Sequence, residues 1–91
     1  MKKVLVLGTK NYDFDLYYEF KNIGLNCYFC GNKKSYLIPI ENWIKIDYTC
    51  TKSIIKFLEK NPDFEYLIPG SNDLAYISIC EVIKKIEFKH K

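Results

Sequence analysis

The densest group of polar side chains that follows an apolar run lies near residue 70. The run ends at Pro69, and Gly70, Ser71, Asn72 and Asp73 come directly after it, ahead of a long apolar-periodic segment. A hydroxyl, an amide and a carboxylate therefore stand at the predicted N-terminus of a helix. One helix cap needs one such side chain. Three in succession exceed that need, so both capping and a functional site remain open.

A related turn, Gly8-Thr9-Lys10, follows the first apolar run of the chain. It lies where a dinucleotide-binding fingerprint would begin, but it has one glycine where that pattern needs three. Asp13 and Asp15 come next and put negative charge where a helix N-terminus otherwise attracts phosphate. We therefore expect no dinucleotide site here. We expect instead a strand-to-helix turn that requires Gly8 for backbone reasons.

Four cysteines raise the question of a metal site. Cys27 and Cys30 have the spacing of a zinc knuckle, but no second pair follows them, and Cys50 and Cys80 stand alone. An offset of three along a strand also points two side chains to opposite faces of a sheet. We expect no metal site, and reduced thiols that act as small buried apolar side chains.

No combination of residues in this chain predicts catalysis. The only histidine, His90, is the penultimate residue, and no Gly-Lys-Ser/Thr phosphate-binding run occurs. Asp13, Asp15 and Asp73 are near predicted helix N-termini, where carboxylates stabilise the helix. We expect no catalytic residues and no cofactor bound by this chain itself.

The composition is typical of one small domain. Ninety-one residues with 48% apolar and 16% aromatic content form a marginal core and have more apolar surface than such a domain hides alone. All basic residues are lysines spread along the chain, the net charge is +3, and base readout favours arginine. We expect no nucleic-acid partner. Because there is no signal peptide and no membrane-length apolar run, we expect a cytoplasmic protein without membrane contact.

The order of the elements predicts an α/β fold with a four-stranded parallel sheet. Apolar runs at 3–7, 25–30, 44–47 and 64–68 predict the strands, and amphipathic segments predict three helices. Right-handed crossovers leave few topologies, and we expect the Rossmann-like half with order 3-2-1-4 in three α/β/α layers. Strands one and four are then neighbours. The turns at Gly8 and Gly70 face each other across the crevice where such sheets bind ligands.

Local patterns also predict caps and stripes for the first two helices. Asn11 or Asp13 is the expected cap of the first helix, and Thr49 or Thr51 that of the second. Ile23 continues the apolar stripe of the first helix, which the following glycine ends.

The third predicted helix is apolar around more of its circumference than burial on one side requires. Its core stripe comprises Ala75, Ile79, Val82, Ile83 and Ile86, and further apolar positions lie beside that stripe at Leu74, Tyr76, Ile77 and Cys80. A helix of this kind is usually covered on two sides. We therefore expect an exposed apolar patch or a homodimer contact on this helix.

Taken together, these features resemble the N-terminal domain of ATP-grasp enzymes, the pre-ATP-grasp domain of carbamoyl-phosphate synthase large-chain-like and biotin-carboxylase-like proteins. The resemblance rests on the strand–glycine turn at Gly8, the strand near residue 44 and the run from Leu67 to Asp73. It covers nearly all of residues 1–88, which would be one Rossmann-like domain. Residues 89–91 would be a short tail.

The resemblance implies a function for a longer parent protein. Members of the family join a carboxylate to an amine or similar nucleophile through an acyl-phosphate, with ATP and Mg²⁺ held by later ATP-grasp lobes. The N-terminal domain helps to form the substrate side of the cleft, through loops after its strands. Carried onto this sequence, the substrate-binding residues are Gly8, Thr9, Lys10, Gly70, Ser71, Asn72 and Asp73. The implied partners are those lobes and a small-molecule substrate.

A different class of function fits the same sequence. The chain would then be a stand-alone Rossmann-like module that binds a small ligand or dimerises, with no catalysis of its own. A purely structural role is the third possibility. Tight nucleotide binding by this domain would favour the stand-alone module, because the ATP contacts of an ATP-grasp enzyme lie in its other lobes.

Overall fold

The structure is a computed structural model that describes residues 2–70 and 73–86. Strands and helices alternate as predicted, with a 3-10 turn at Ile40–Asn42 after the second strand. In chain order the elements are β1 (Lys2–Leu7), α1 (Asn11–Asn22), β2 (Leu25–Cys30), β3 (Trp43–Ile44), α2 (Thr51–Lys60), β4 (Phe64–Pro69) and α3 (Asp73–Ile86).

All four strands run parallel in a single sheet of order β3-β2-β1-β4. This confirms the predicted 3-2-1-4 order and the Rossmann-like α/β class. The chain steps outward from β1 to β3 and then crosses back to β4 on the other side of β1. Right-handed crossovers in opposite directions place α1 on one face and α2 on the other, and α3 packs on the same face as α2. The molecule therefore has three layers.

Strand β1 is the centre of the core because side chains cover both of its faces. Val4 and Val6 pack with Phe14 of α1 on one side. Leu5 and Leu7 pack on the other side with apolar residues of α2 and α3. All four of these β1 side chains are fully buried, as a continuous apolar run predicts for a strand covered on both faces.

The N-terminus of α1 differs from the prediction in one respect. Lys10, not Asn11 or Asp13, is the N-cap residue. Asp13 lies inside the first turn, where its Oδ2 accepts the backbone N–H of Lys10 at 3.1 Å. It thus satisfies a free amide at the helix end from the third helical position, as the acidic residue of a capping box does.

The N-terminus of α2 also has a different cap from the one predicted. Cys50 is at the N-cap position and makes no side-chain capping hydrogen bond, and both threonine hydroxyls have other partners. The Thr49 hydroxyl donates to Oδ1 of Asp47 at 2.6 Å. The Thr51 hydroxyl donates to Oε2 of Glu81 at 3.1 Å and so joins α2 to α3.

At the C-terminus of α1, the predicted apolar stripe is wrong in one residue, Ile23. The helix ends at Asn22, and Ile23 follows as the C-cap residue with 70% of its side chain exposed. Ile23 therefore does not continue the buried face. Gly24 has a φ of +85°, a left-handed conformation that glycine adopts without a steric cost, and it ends the helix as predicted.

Strand β3 is shorter than predicted and begins earlier. It covers Trp43–Ile44 at the sheet edge, rather than 44–47. The backbone N–H of Ile46 donates to the carbonyl of Ile44 at 2.9 Å. This three-residue turn takes the chain out of the ladder directly after Ile44.

Strand β4 is the other edge of the sheet, which explains why it tolerates a proline. The Gly70 N–H donates to the Leu7 carbonyl at 2.9 Å. Because amides alternate in direction along a strand, position 69 faces away from β1, and Pro69 lacks only a donor that would point outward. Among the residues that the structure describes, no strand pairs with that outer edge.

Within the same part of the chain, no helix has both the length and the apolar character needed to cross a bilayer.

Candidate functional site

The turns after β1 and β4 meet at the carboxyl edge of the sheet. A Cβ atom placed on Gly8 would lie 3.3 Å from the Cα of Gly70, so the two backbones are in direct contact. We call this contact between Gly8 and Gly70 the glycine junction. It lies between β1, from which the chain crosses to β2, and β4, which the chain reaches by crossing back from β3. In open parallel sheets, ligands bind at this kind of switch point.

Close backbone contact leaves no room for a side chain at the glycine junction. A Cβ atom on Gly70 would lie 2.4 Å from the carbonyl oxygen of Leu7 and 3.2 Å from the Cα of Gly8. Both neighbours are backbone atoms, which cannot rotate away. The glycine that follows β4 is therefore required by packing.

The carboxylate of Asp13 lies against both glycines of the junction. Its side chain is only 2% exposed. A Cβ atom on Gly8 would lie 2.5 Å from Asp13 Oδ2, and one on Gly70 would lie 3.2 Å from Asp13 Oδ1. A carboxylate is thus held directly beneath the point where the two turns meet.

Asp13 was not among the predicted substrate-binding residues, since its position after the first turn indicated only a stabilising charge at a helix end. The signal that identifies its place is the acidic residue three positions after the N-cap, which is the spacing of a capping box. That spacing directs the carboxylate back toward the turn. The sequence does not indicate that the turn after β4 reaches the same carboxylate.

Thr9 connects the junction to the end of β2. A Cβ atom on Gly31 would lie 2.8 Å from Cγ2 and 3.0 Å from Oγ1 of Thr9, so the Thr9 side chain rests on Gly31. Sequence reasoning did not single out Gly31. It follows β2 directly, as Gly8 follows β1 and Gly70 follows β4, and that repeated pattern was the available signal. Lys10 is exposed at the same edge.

The structure brings Gly8, Thr9, Lys10 and Gly70 of the predicted substrate-binding set together at one edge of the sheet. Ser71 and Asn72 lie outside the described residues. The backbone of Asp73 begins α3, and its side chain also lies outside what the structure describes.

Three backbone N–H groups at the junction already have acceptors. The Gly8 N–H donates to the Cys30 carbonyl at 3.0 Å, and the Gly70 N–H donates to the Leu7 carbonyl at 2.9 Å. The Lys10 N–H donates to Asp13. A phosphate cradle at a helix N-terminus is built from backbone N–H groups that point at the ligand. These three N–H groups are engaged within the protein.

The two cysteines with zinc-knuckle spacing point to opposite faces of the sheet, as predicted. Cys27 is buried on the α1 face and Cys30 on the α2–α3 face. Burial raises the pKa of each thiol to about 12, and the Cys30 thiol donates to the Ile46 carbonyl at 3.2 Å. Within residues 2–70 and 73–86, no group of three or more His, Cys, Asp or Glu side chains is arranged to hold a metal ion.

Helix α3 exposes apolar side chains in its first two turns, directly after the glycine junction. Leu74 is 57% exposed, Tyr76 is 63% exposed and Ile77 is 53% exposed. We call these three residues the α3 apolar patch. Ala75, Ile79 and Val82 on the opposite side of the helix are buried in the core. The predicted exposed patch on this helix is confirmed.

No protein-family model matches this chain, and searches of curated proteins and of solved structures found no match. Function is therefore inferred from three features of the molecule itself. These are the glycine junction, the Asp13 carboxylate beneath it and the α3 apolar patch.

Proposed function

We propose that this chain is the N-terminal, substrate-side domain of an ATP-dependent carboxylate–amine ligase of the ATP-grasp type. In this proposal it has no catalytic activity alone. The observation that carries the proposal is the glycine junction, where the turns after β1 and β4 meet at the switch point of a 3-2-1-4 sheet. Those are the two loops to which the resemblance assigns substrate contacts.

The geometry of the junction suits a wall of a substrate cleft. The two glycines bring the turns after β1 and β4 into contact, and Gly70 is half-buried at that edge. Lys10 is exposed beside them and Thr9 is half-buried, so both side chains stand at the rim. We propose that Gly8, Thr9, Lys10 and Gly70, with Ser71, Asn72 and Asp73, form the substrate side of the cleft.

The α3 apolar patch supports the presence of a neighbouring lobe. Contiguous exposed apolar side chains on a small soluble domain often mark a surface that another protein unit covers. The patch occupies the first turns of α3, next to the turn at Gly70. In this proposal, one lobe covers both the patch and the glycine junction.

ATP and Mg²⁺ are implied by the ligase reaction, and the junction itself does not suit them. Three of its backbone N–H groups have acceptors within the protein. The Asp13 carboxylate lies where a triphosphate would need positive charge. We therefore assign both ATP and Mg²⁺ to the ATP-grasp lobes and none of their contacts to this domain.

We also propose a cytoplasmic location for the parent ligase. Cys27, Cys30, Cys50 and Cys80 are all free thiols. Free thiols persist in reducing compartments, whereas secreted domains of this size are usually rich in disulfides.

Two measurements test the proposed function. The reading frame downstream of Lys91, and the neighbouring genes, should encode ATP-grasp lobes. If the frame stops there and no partner gene carries such lobes, the proposal fails. Calorimetric titration of this chain with Mg-ATP should release no binding heat. In NMR spectra, the addition of small amines or carboxylates should shift the backbone amide signals of Gly8 and Gly70.

The α3 apolar patch also favours a second candidate, a stand-alone module that dimerises or binds a small ligand. In that case the patch would meet a second copy of the chain. Micromolar nucleotide binding at the glycine junction, or a concentration-dependent dimer without any ATP-grasp partner, would favour this candidate over the ligase domain.

A further inference from the structure

The two edges of the sheet differ in length. At one edge, β3 has only two residues, and the turn at Ile46 takes the chain out of the ladder directly after Ile44. A very short strand is one of the ways in which proteins keep a sheet edge from pairing with another chain. At the other edge, β4 has six residues, and among the described residues no strand pairs with its outer side.

The middle of β4 lacks the features that usually protect an open edge, which are charges, bulges and prolines. A shift of register and Glu65 lie near the start of the strand, and Pro69 lies at its end. Glu65 is the only charged residue of β4, and its Oε2 lies 3.4 Å from Nζ of Lys2. The residues between these ends, 66–68, are uncharged and paired regularly with β1. This segment can therefore act as a template for another strand.

Leu67 presents its backbone N–H and carbonyl to the outer side of β4. The Gly70 N–H donates to the Leu7 carbonyl of β1. Because amides alternate in direction along a strand, the N–H of Ile68 also faces β1 and that of Leu67 faces outward. The Leu67 side chain is buried in the core. Pairing at this position therefore uses backbone groups and leaves the core as it is.

Helix α3 carries apolar side chains on the flank that lies beyond β4. Tyr76, Cys80 and Ile83 recur at the spacing of one helix face, and they are exposed or half-buried. Glu81, on another side of the helix, accepts the Thr51 hydroxyl of α2. Because α2 contacts that side and α3 packs on β4, Tyr76, Cys80 and Ile83 lie on the flank away from α2. We call these three residues the α3 flank.

We propose that the outer edge of β4 and the α3 flank bind a second copy of this chain. The two β4 strands pair antiparallel around a two-fold axis at Leu67, and the sheet continues across the interface. Each Leu67 N–H then donates to the Leu67 carbonyl of the other copy. Tyr66 lies opposite Ile68 of the second copy, an aromatic and β-branched pair of the kind that stabilises sheets. The inference goes beyond the proposed function and does not depend on it.

The charges and the position of α3 agree with this axis. Glu65 lies opposite Pro69 of the second copy, so that the two glutamates are kept apart. A two-fold axis perpendicular to the sheet leaves both α3 helices on the same face. Leu67 is about 10 Å along β4 from Gly70, and Cys80 is about 10 Å along α3 from the start of the helix. Both residues are therefore close to the axis, and the two α3 flanks face each other.

A cross-link between thiols tests the position of the axis. Cys50 and Cys80 are exposed, whereas Cys27 and Cys30 are buried. Cys50→Ser leaves Cys80 as the exposed thiol, and a short bismaleimide should convert this variant into a covalent dimer. Cys80→Ser is the matched control. It leaves Cys50 at the start of α2, outside the interface, and should remain uncross-linked under the same conditions.

Hydrogen exchange tests the strand pairing without any substitution. In the dimer the Leu67 N–H is bonded across the interface. Its exchange should slow by about tenfold as the protein concentration rises, which is the equivalent of one net hydrogen bond. The Ile68 N–H faces β1 in both the monomer and the dimer, so its exchange should not depend on concentration. Light scattering on the same samples measures the fraction of dimer.

A chain that stays strictly monomeric in light scattering would overturn the inference. A dimer would also overturn it if Cys80 is not cross-linked, or if the Leu67 amide exchanges as fast as in the monomer. A longer, monomeric parent protein with a protected Leu67 amide would do so as well, because a later strand of its own chain would then occupy the edge. The reading frame downstream of Lys91 tests the ligase proposal separately, so that the two failures are distinguishable.

Discussion

Single residues at the carboxyl edge of the sheet differ in how they would respond to the same added methyl group. A Cβ atom on Gly70 would lie 2.4 Å from a backbone carbonyl oxygen, that of Leu7. A Cβ atom on Gly31 would lie 2.8 Å from Cγ2 of Thr9, which is a side-chain atom. A side chain can change rotamer, whereas the backbone of the central strand cannot move without disturbing the sheet.

We therefore predict that Gly70→Ala destabilises the fold by about 1–3 kcal/mol, the usual cost of overpacking. Gly31→Ala is the matched control and should cost less, because Thr9 can rotate. Urea denaturation followed by circular dichroism measures both. A Gly31→Ala variant that is as unstable as Gly70→Ala would show that the two glycines are equally constrained.

The candidate site shows what single residues reveal in a sequence. The turns at Gly8 and Gly70 could be placed from the sequence, since each glycine directly follows an apolar strand run. Asp13 was predicted as a possible N-cap and instead lies at the third helical position, where it still accepts a helix-end N–H. Its proximity to Gly70 was not predicted, because that contact joins residues far apart in the chain. A contact of that kind depends on the strand order and is not encoded in local spacing.

At the scale of whole elements, helix α3 has two apolar sides with different roles. Ala75 and Val82 face the sheet, and the α3 apolar patch faces away from it. The prediction from sequence was correct here because a helix that is apolar beyond one stripe has more apolar surface than one neighbour can cover. The prediction for β3 was less accurate, because the turn at Ile44–Ile46 ends that strand early.

We predict that Ile77→Lys reduces self-association or lobe binding without unfolding the domain. Ile77 is 53% exposed within the α3 apolar patch, so an added charge stays solvated and should change stability by less than about 0.5 kcal/mol. The matched control is Ile23→Lys at the end of α1, which removes a similarly exposed isoleucine outside the patch. Light scattering measures the change in association, and thermal melts measure the change in stability.

Only the Ile77→Lys variant should shift the chain toward a monomer. A wild-type chain that is strictly monomeric and binds no ATP-grasp lobe would contradict the role of the patch. An equal effect of Ile23→Lys would show that association depends on general hydrophobicity.

For the whole molecule, the alternation of elements and the handedness of crossovers left few strand orders, and the expected order 3-2-1-4 is the observed one. Within β2, the odd offset between Cys27 and Cys30 places these two buried thiols on opposite sides of the sheet. Cys27 lies in the core between the sheet and α1, and Cys30 lies in the core between the sheet and the α2–α3 layer. Neither thiol can ionise readily while both layers stay in place.

Stability should consequently fall at alkaline pH. Burial raises the pKa of Cys27 and Cys30 from 9.0 to about 12. The unfolded chain therefore releases these protons at a lower pH than the folded chain does. Their contribution to folding is fully present below pH 9 and is lost as the pH rises toward 12.

Denaturant midpoints measured across this window should decline more steeply for the wild type than for the Cys27→Ala/Cys30→Ala variant. Lysine and tyrosine side chains titrate in the same range in both proteins, so the difference between the two curves isolates the thiols. Parallel curves would mean that the thiols ionise as easily in the folded chain as in the unfolded one, and that the two layers do not exclude water from them.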